Sequence, residues 1–183
     1  MVESVAVPFA RTPSIAVLFA PGAVRIIDIF RALGDFEDHY DVAALDGLED
    51  QLATFVGRDA ANGIVSDALL LAFGLRRERP EPVRYSPTGS RRGTLDEYRL
   101  VALLSATYWH DFILASEAAA ALDIIHPQPL ISLAFDISRR LEASGMKLDM
   151  PDPRLFRDAP SPSTIVEVER RPAQAGGLRQ VDF

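Results

Sequence analysis

Thr94-Leu-Asp-Glu-Tyr-Arg-Leu-Val-Ala-Leu-Leu104, followed by Ser116-Glu-Ala-Ala-Ala-Ala-Leu-Asp-Ile124 and Arg139-Arg-Leu-Glu-Ala-Ser-Gly-Met146, is the text on which the fold turns. Thr94 with Glu97 three residues on has the capping-box form that starts a helix. Leu95, Tyr98 and Ala102 recur at i, i+3 and i+7 beside Val101 and Leu104, which gives that helix a broad apolar face. Ser116 is placed to cap an alanine-rich helix over Glu117 to Leu122. Beyond Pro127 and Pro129 a third helix is expected from about Leu130 to Ser144, closed by Gly145 as a left-handed cap. Lys147 to Met150 and Thr164 to Glu169 read as two short strands. In the second, Ile165, Glu167 and Glu169 alternate with Val166 and Val168.

Upstream, the segment Arg79 to Gly93 interrupts every periodic pattern with three prolines, two glycines and polar residues. It is read as an Arg/Pro-rich linker, 79–93, between an N-terminal helical unit, 1–78, and a C-terminal unit, 94–171, with a tail at 172–183. In the N-terminal unit Val24, Ile27 and Leu33 with Ile26 and Phe30 mark a helix over Ala23 to Leu33 that stops at Gly34. Asp46 and Glu49 form a second capping-box pair, and Leu48, Leu52 and Phe55 extend a short helix to Gly57. A third helix is expected from Asp59 or Gly63 to Phe73, ending at Gly74. Ile15 to Ala20 is left as a strand or packing arm.

In order and wording, residues 94 to about 171 resemble the winged helix-turn-helix transcription regulators, especially the MarR-like group. The three helical stretches above carry the likeness, with the wing-like Asp152-Pro-Arg-x-x-Arg-Asp158 after them. The resemblance implies a mainly α protein: an N-terminal helical dimerisation or partner unit, then a winged helix with a small β-hairpin. It also implies a cytoplasmic, sequence-specific DNA-binding regulator acting as a homodimer on double-stranded DNA. On that reading helix three enters a major groove through Gln128 and Ser132, the wing sets Arg154 and Arg157 in the flanking minor groove, and Arg91 and Arg92 meet phosphate. Half-sites would recur about one helical turn apart.

Charge supplies a competing expectation. The chain has 183 residues, a formal charge of −7 and 48% hydrophobic content, enough to bury a core. Residues 35–50 hold seven acids and no Lys or Arg, so the remainder is neutral, while residues 76–92 hold six arginines against Glu78 and Glu81. Residues 94–150 carry four basic side chains against eight acids, although phosphate neutralisation drives duplex binding. The alternative is a helical protein-binding adaptor whose degenerate winged helix binds no DNA. In it the apolar run 130–135 and Trp109 build an interaction groove.

No cysteine is present, which excludes disulfides, thiolate zinc sites and thiol nucleophiles. The longest uncharged run, Thr12 to Val24, is too short to cross a bilayer, and Glu3 without Lys or Arg in the first ten residues argues against a secretory signal. His110-Asp111 has the form of a metal-dependent HD phosphohydrolase doublet, for which His39 and Asp123 or Asp136 would complete a ligand set. The plainer reading is a helix end at which His110 caps carbonyls and Trp109 packs inward. Glu37 to Asp41 lacks the glycine and twelfth-position glutamate of a calcium loop, and no Gly-rich phosphate cradle or nucleophile elbow occurs. No enzyme activity, metal or cofactor is therefore expected.

Overall fold

The described residues form six helices around one continuous apolar interior. A computed structural model describes residues 17–39 and 42–154, with the backbone alone for 35–39 and 42–45. The order is β1 (Val17–Leu18), α1 (Pro21–His39), α2 (Val42–Val56), α3 (Arg58–Glu78), β2 (Arg92–Gly93), α4 (Leu95–Tyr108), α5 (Phe112–Ala121) and α6 (Pro127–Ala143). The molecule is thus mainly helical. Its small sheet is an antiparallel pair, Val17 opposite Gly93 and Leu18 opposite Arg92. A hairpin after α6, the expected wing, is not what the described residues form: Lys147 to Met150 is not part of the sheet, and Thr164 to Glu169 lies outside the described residues.

α1 buries Ile26, Ile27, Phe30 and Leu33 on the face foreseen from their spacing. It runs five residues past Gly34, because that glycine admits the Tyr85 ring; a Cβ there would stand 2.8 Å from Tyr85 Cδ2. Gly74 likewise lies inside α3, where Leu130 of α6 closes on it. α2 starts before Asp46, so that residue is not its cap. Gly57 does stop α2, with φ of 84°.

The capping box at α4 is as expected: Glu97 N–H donates to Thr94 Oγ1 at 3.1 Å, and Thr94 N–H donates to Glu97 Oε2 at 2.6 Å. α5 begins earlier than Ser116. Its cap is Asp111, whose carboxylate accepts the Leu114 N–H at 2.9 Å, while Ser116 sits within the helix and donates to the Phe112 carbonyl. Pro127 occupies the first turn of α6, where its missing N–H costs nothing, and Gly145 follows the helix at φ of 74°.

The 79–93 segment falls between two helices of the same core. α3 lies along α6, α4 contacts both α5 and α6, and the buried cluster runs unbroken from Val17 to Leu148. The segment is fastened by Arg31 of α1, which is 1% exposed. Its Nε donates to Glu97 Oε1 at 2.7 Å, and its terminal nitrogens reach Asp28, the Ser90 and Arg92 carbonyls and Glu97 Oε2 at 2.8–3.3 Å. All five guanidinium N–H donors are used. Burial opposes the charge of Arg31, but its bonds to Glu97 and Asp28 prevail and hold its pKa above the ordinary value. Glu97 also accepts from Ser86 N–H, so one buried pair ties α1, the loop and α4 together.

Candidate functional site

The chain after Gly145 turns back along α4 as a strap. Leu148 is buried, the Trp109 indole N–H donates to the Leu148 carbonyl at 2.9 Å, and Tyr98 Oη both accepts from Asp152 N–H and donates to the Asp152 carbonyl. Those bonds satisfy backbone groups that a strand would have paired across a ladder. The strap is therefore held by α4 side chains.

Its far end carries the first half of the expected wing. Arg154 reaches Asp152 through Nε at 3.2 Å and Nη2 at 3.3 Å, a pairing within its own loop. Arg157 lies outside the described residues. Arg91 is exposed, with its Nε–H on the Phe19 carbonyl at 3.2 Å, and Arg92 is exposed on β2. Gln128 and Ser132 are exposed one turn apart near the start of α6, where Ser132 Oγ donates to the Gln128 carbonyl. The five foreseen DNA contacts among the described residues thus stand on three different parts of the chain: Gln128 and Ser132 on α6, Arg91 and Arg92 at β2, and Arg154 at the end of the strap.

α6 is confined. Leu130, Ile131, Ala134, Ile137 and Leu141 are buried, against α3 on one side and α4 on the other. Arg140 Nε bonds Asp67 of α3 at 2.7 Å, and Ser138 bonds the Leu104 carbonyl and Thr107 of α4 at 2.8 Å. Of the apolar run 130–135 expected to line a groove with Trp109, Leu130, Ile131 and Ala134 are thus spent on the core, while Leu133 and Phe135 are half-buried.

What stands open is the corner where α4 becomes α5. His110 takes φ of 56° between the two helices, an unusual conformation for a non-glycine residue. That kink turns Trp109, Phe112 and Ile113 outward, 51%, 48% and 77% exposed. Trp109 thus does not pack inward: its N–H bonds the Leu148 carbonyl and its ring meets Tyr108 edge-on, with centroids 5.7 Å apart. His110, Phe112 and Phe135 form a ring cluster with centroids 5.6–6.5 Å apart, in tilted and edge-on arrangements. Phe55 on α2 is also exposed, but the Arg25 guanidinium covers its ring at 4.2 Å. Leu70 and Phe73 form a smaller stripe on α3. The sequence signal for the corner was the same Trp-His-Asp-Phe-Ile text that suggested a metal doublet.

The metal reading gains nothing from this geometry. The Asp111 carboxylate caps α5, and His126 Nδ1 is 2.8 Å from Glu78 Oε2 across the α3–α6 junction. That hydrogen bond holds the Glu78 carboxyl below its ordinary pKa. Among the described residues no three His, Asp or Glu side chains gather as metal ligands, and no helix is long and apolar enough to cross a membrane.

The class of protein this geometry defines is a mainly helical one with an exposed aromatic corner. Comparison with family models, with curated proteins and with solved structures finds no match to this chain.

Proposed function

We propose that this chain is a helical protein-interaction domain, a cytoplasmic adaptor that docks the amphipathic helix of a partner protein on the α4–α5 corner. The observation that carries this reading is the exposure of Trp109, Phe112 and Ile113 together, on a corner fixed by the Asp111 cap and the Trp109–Leu148 bond. A rigid aromatic with an aliphatic neighbour is the usual anchor of an interface, and it loses little entropy on binding. Burying such side chains gains on the order of 25 cal/mol per Å² of apolar surface.

The test starts from wild type and Ile113→Ser as bait. A partner held by wild type and lost by the variant is purified and titrated against the chain. One-to-one binding with a blue shift of the Trp109 emission supports docking at the corner. A purified partner that leaves the emission unchanged, or that binds both forms equally, refutes it, as does light scattering that assigns the loss to a second copy of the chain.

A second reading is favoured by one observation of its own. α4, α5 and α6 keep a three-helix arrangement with Gln128 and Ser132 exposed at the start of α6, which is what a homodimeric DNA-binding regulator of the winged helix-turn-helix kind would present. Gel shifts of upstream DNA at two salt concentrations test it. Binding that falls steeply with salt, and that weakens in Gln128→Ala and in Arg154→Ala plus Arg157→Ala with folding unchanged, would support it.

A further inference from the structure

α3 buries one side, through Ile64, Val65, Ala68, Leu71 and Leu75, and leaves the opposite side to solvent. Along that outer side Asp59, Ser66, Leu70, Phe73 and Arg77 are all exposed. At 3.6 residues per turn these five fall within about 60° of one another, on a single line down the helix. Leu70 and Phe73, 55% and 47% exposed, make its middle apolar. Asp59 stands in the first turn and Arg77 in the last, about five turns apart. Arg77 meets Glu78 through Nε at 3.4 Å, a long contact that leaves its side chain 86% exposed. The line is thus acidic at one end, apolar in the middle and basic at the other end.

We propose that this line is the seam of a homodimer in which α3 of one copy lies antiparallel on α3 of the other. A two-fold axis level with Ala68, midway between Asp59 and Arg77, makes the contact isologous. Asp59 of each copy then faces Arg77 of the other, and Ser66 faces Leu70. Phe73 faces Gly63, against which the Arg140 guanidinium lies, so the ring meets a residue without a side chain and a cation beside it. Every pairing is complementary: opposite charges at the ends, large against small between them. A parallel pair would instead set Asp59 on Asp59 and Arg77 on Arg77. The second copy is the occupant because the charges stand at equal distances on either side of the apolar middle, which is what the same helix, reversed, supplies. A seam of about 27 Å along one helix is at the small end of interfaces, so the dimer is reversible. None of its residues belongs to the α4–α5 corner, and the dimer stands whether or not that corner docks a partner.

Sedimentation equilibrium of the full chain across a dilution series from micromolar to submillimolar tests it. Wild type should pass from monomer to dimer, and Ile113→Ser should do the same. Phe73→Ser should weaken the dimer about tenfold or more, because the contact is lost twice by symmetry. Asp59→Arg and Arg77→Asp should each weaken it about tenfold, since each turns two attractive pairs into repulsive ones. An equimolar mixture of those two variants should regain wild-type affinity, one carrying basic side chains at both ends of the seam and the other acidic ones. Far-UV circular dichroism shows that each variant is folded. The chain has no cysteine, so register can be read separately: Ser66→Cys mixed with Leu70→Cys should form a disulfide between the two variants faster than either does alone. A chain that stays monomeric at submillimolar concentration, a dimer unchanged by Phe73→Ser or broken by Ile113→Ser, or a charge-reversed mixture no tighter than its components would each overturn the proposal.

Discussion

Arg31 and Glu97 set the energetics at the scale of single residues. Each is almost wholly removed from water, at 1% and 0% exposure, and a buried charge is tolerated only when its bonds are complete. Arg31→Met deletes the cation but leaves the Glu97 carboxylate buried with the Ser86 and Thr94 N–H groups as its only compensation. The expected loss is about 3–5 kcal/mol, the usual cost of orphaning one member of a buried pair. Urea unfolding measures it, and a loss under about 1 kcal/mol would mean that water reaches the carboxylate and the clamp is dispensable. Neither partner announces this role in the sequence. Glu97 was legible as a capping residue because its partner, Thr94, is three positions away; Arg31 was not, because its partner is 66 positions distant.

At the scale of elements, what could be read in advance was whatever is encoded locally. Helix faces, the Thr94 box and the Gly145 cap depend on neighbours within one turn, and they stand where their spacing put them. Gly34 was misread as a stop because it admits the ring of Tyr85, which comes from elsewhere in the chain, and Gly74 simply lies within α3. β1 and β2 are two residues each, too short for alternation to show, and the strap takes its bonds from Tyr98 and Trp109 side chains rather than from a partner strand. The docking corner was half-legible: Trp109 stood out, but the kink at His110 that exposes it is a tertiary outcome.

Two predictions belong to the same scale. Asp111→Ala should cost about 1 kcal/mol through loss of the α5 cap, whereas Ser116→Ala should be close to neutral; thermal or urea unfolding of the pair separates Asp111 from the cap expected at Ser116. The Glu78–His126 contact joins the end of α3 to the start of α6 and predicts an acid limb of stability. Because the folded-state pKa of Glu78 is lowered from 4.5, its contribution is complete above that value and fades as pH falls through the lower folded one. The melting temperatures of wild type and Glu78→Gln should therefore differ at about pH 5 and converge in more acid solution. A gap that persists unchanged into strong acid would detach the difference from Glu78 ionisation.

The whole molecule is decided by α3 and α6, which fall in different units in a two-unit reading of the chain and yet pack closely. Arg140 sits against Gly63 and Asp67 at one end of that contact, and Leu130 sits against Gly74 at the other, so the seam runs the length of both helices. α1 adds Arg31, which needs Glu97 of α4 to be buried at all. Each half thus completes the other's core and neutralises its charge. Unfolding should accordingly be a single transition, with far-UV circular dichroism and Trp109 fluorescence superimposing across a urea titration, since Trp109 reports on the α4–α5 side and most helical signal includes α1 to α3. A fragment of residues 94–183 made alone should lack a cooperative transition, because its α6 would expose Leu130, Ile131 and Ala134 where α3 had covered them. Two resolved transitions in the full chain, or a fragment that melts as sharply as the parent, would show instead that the 79–93 segment separates two folding units and that the seam is only a docking face.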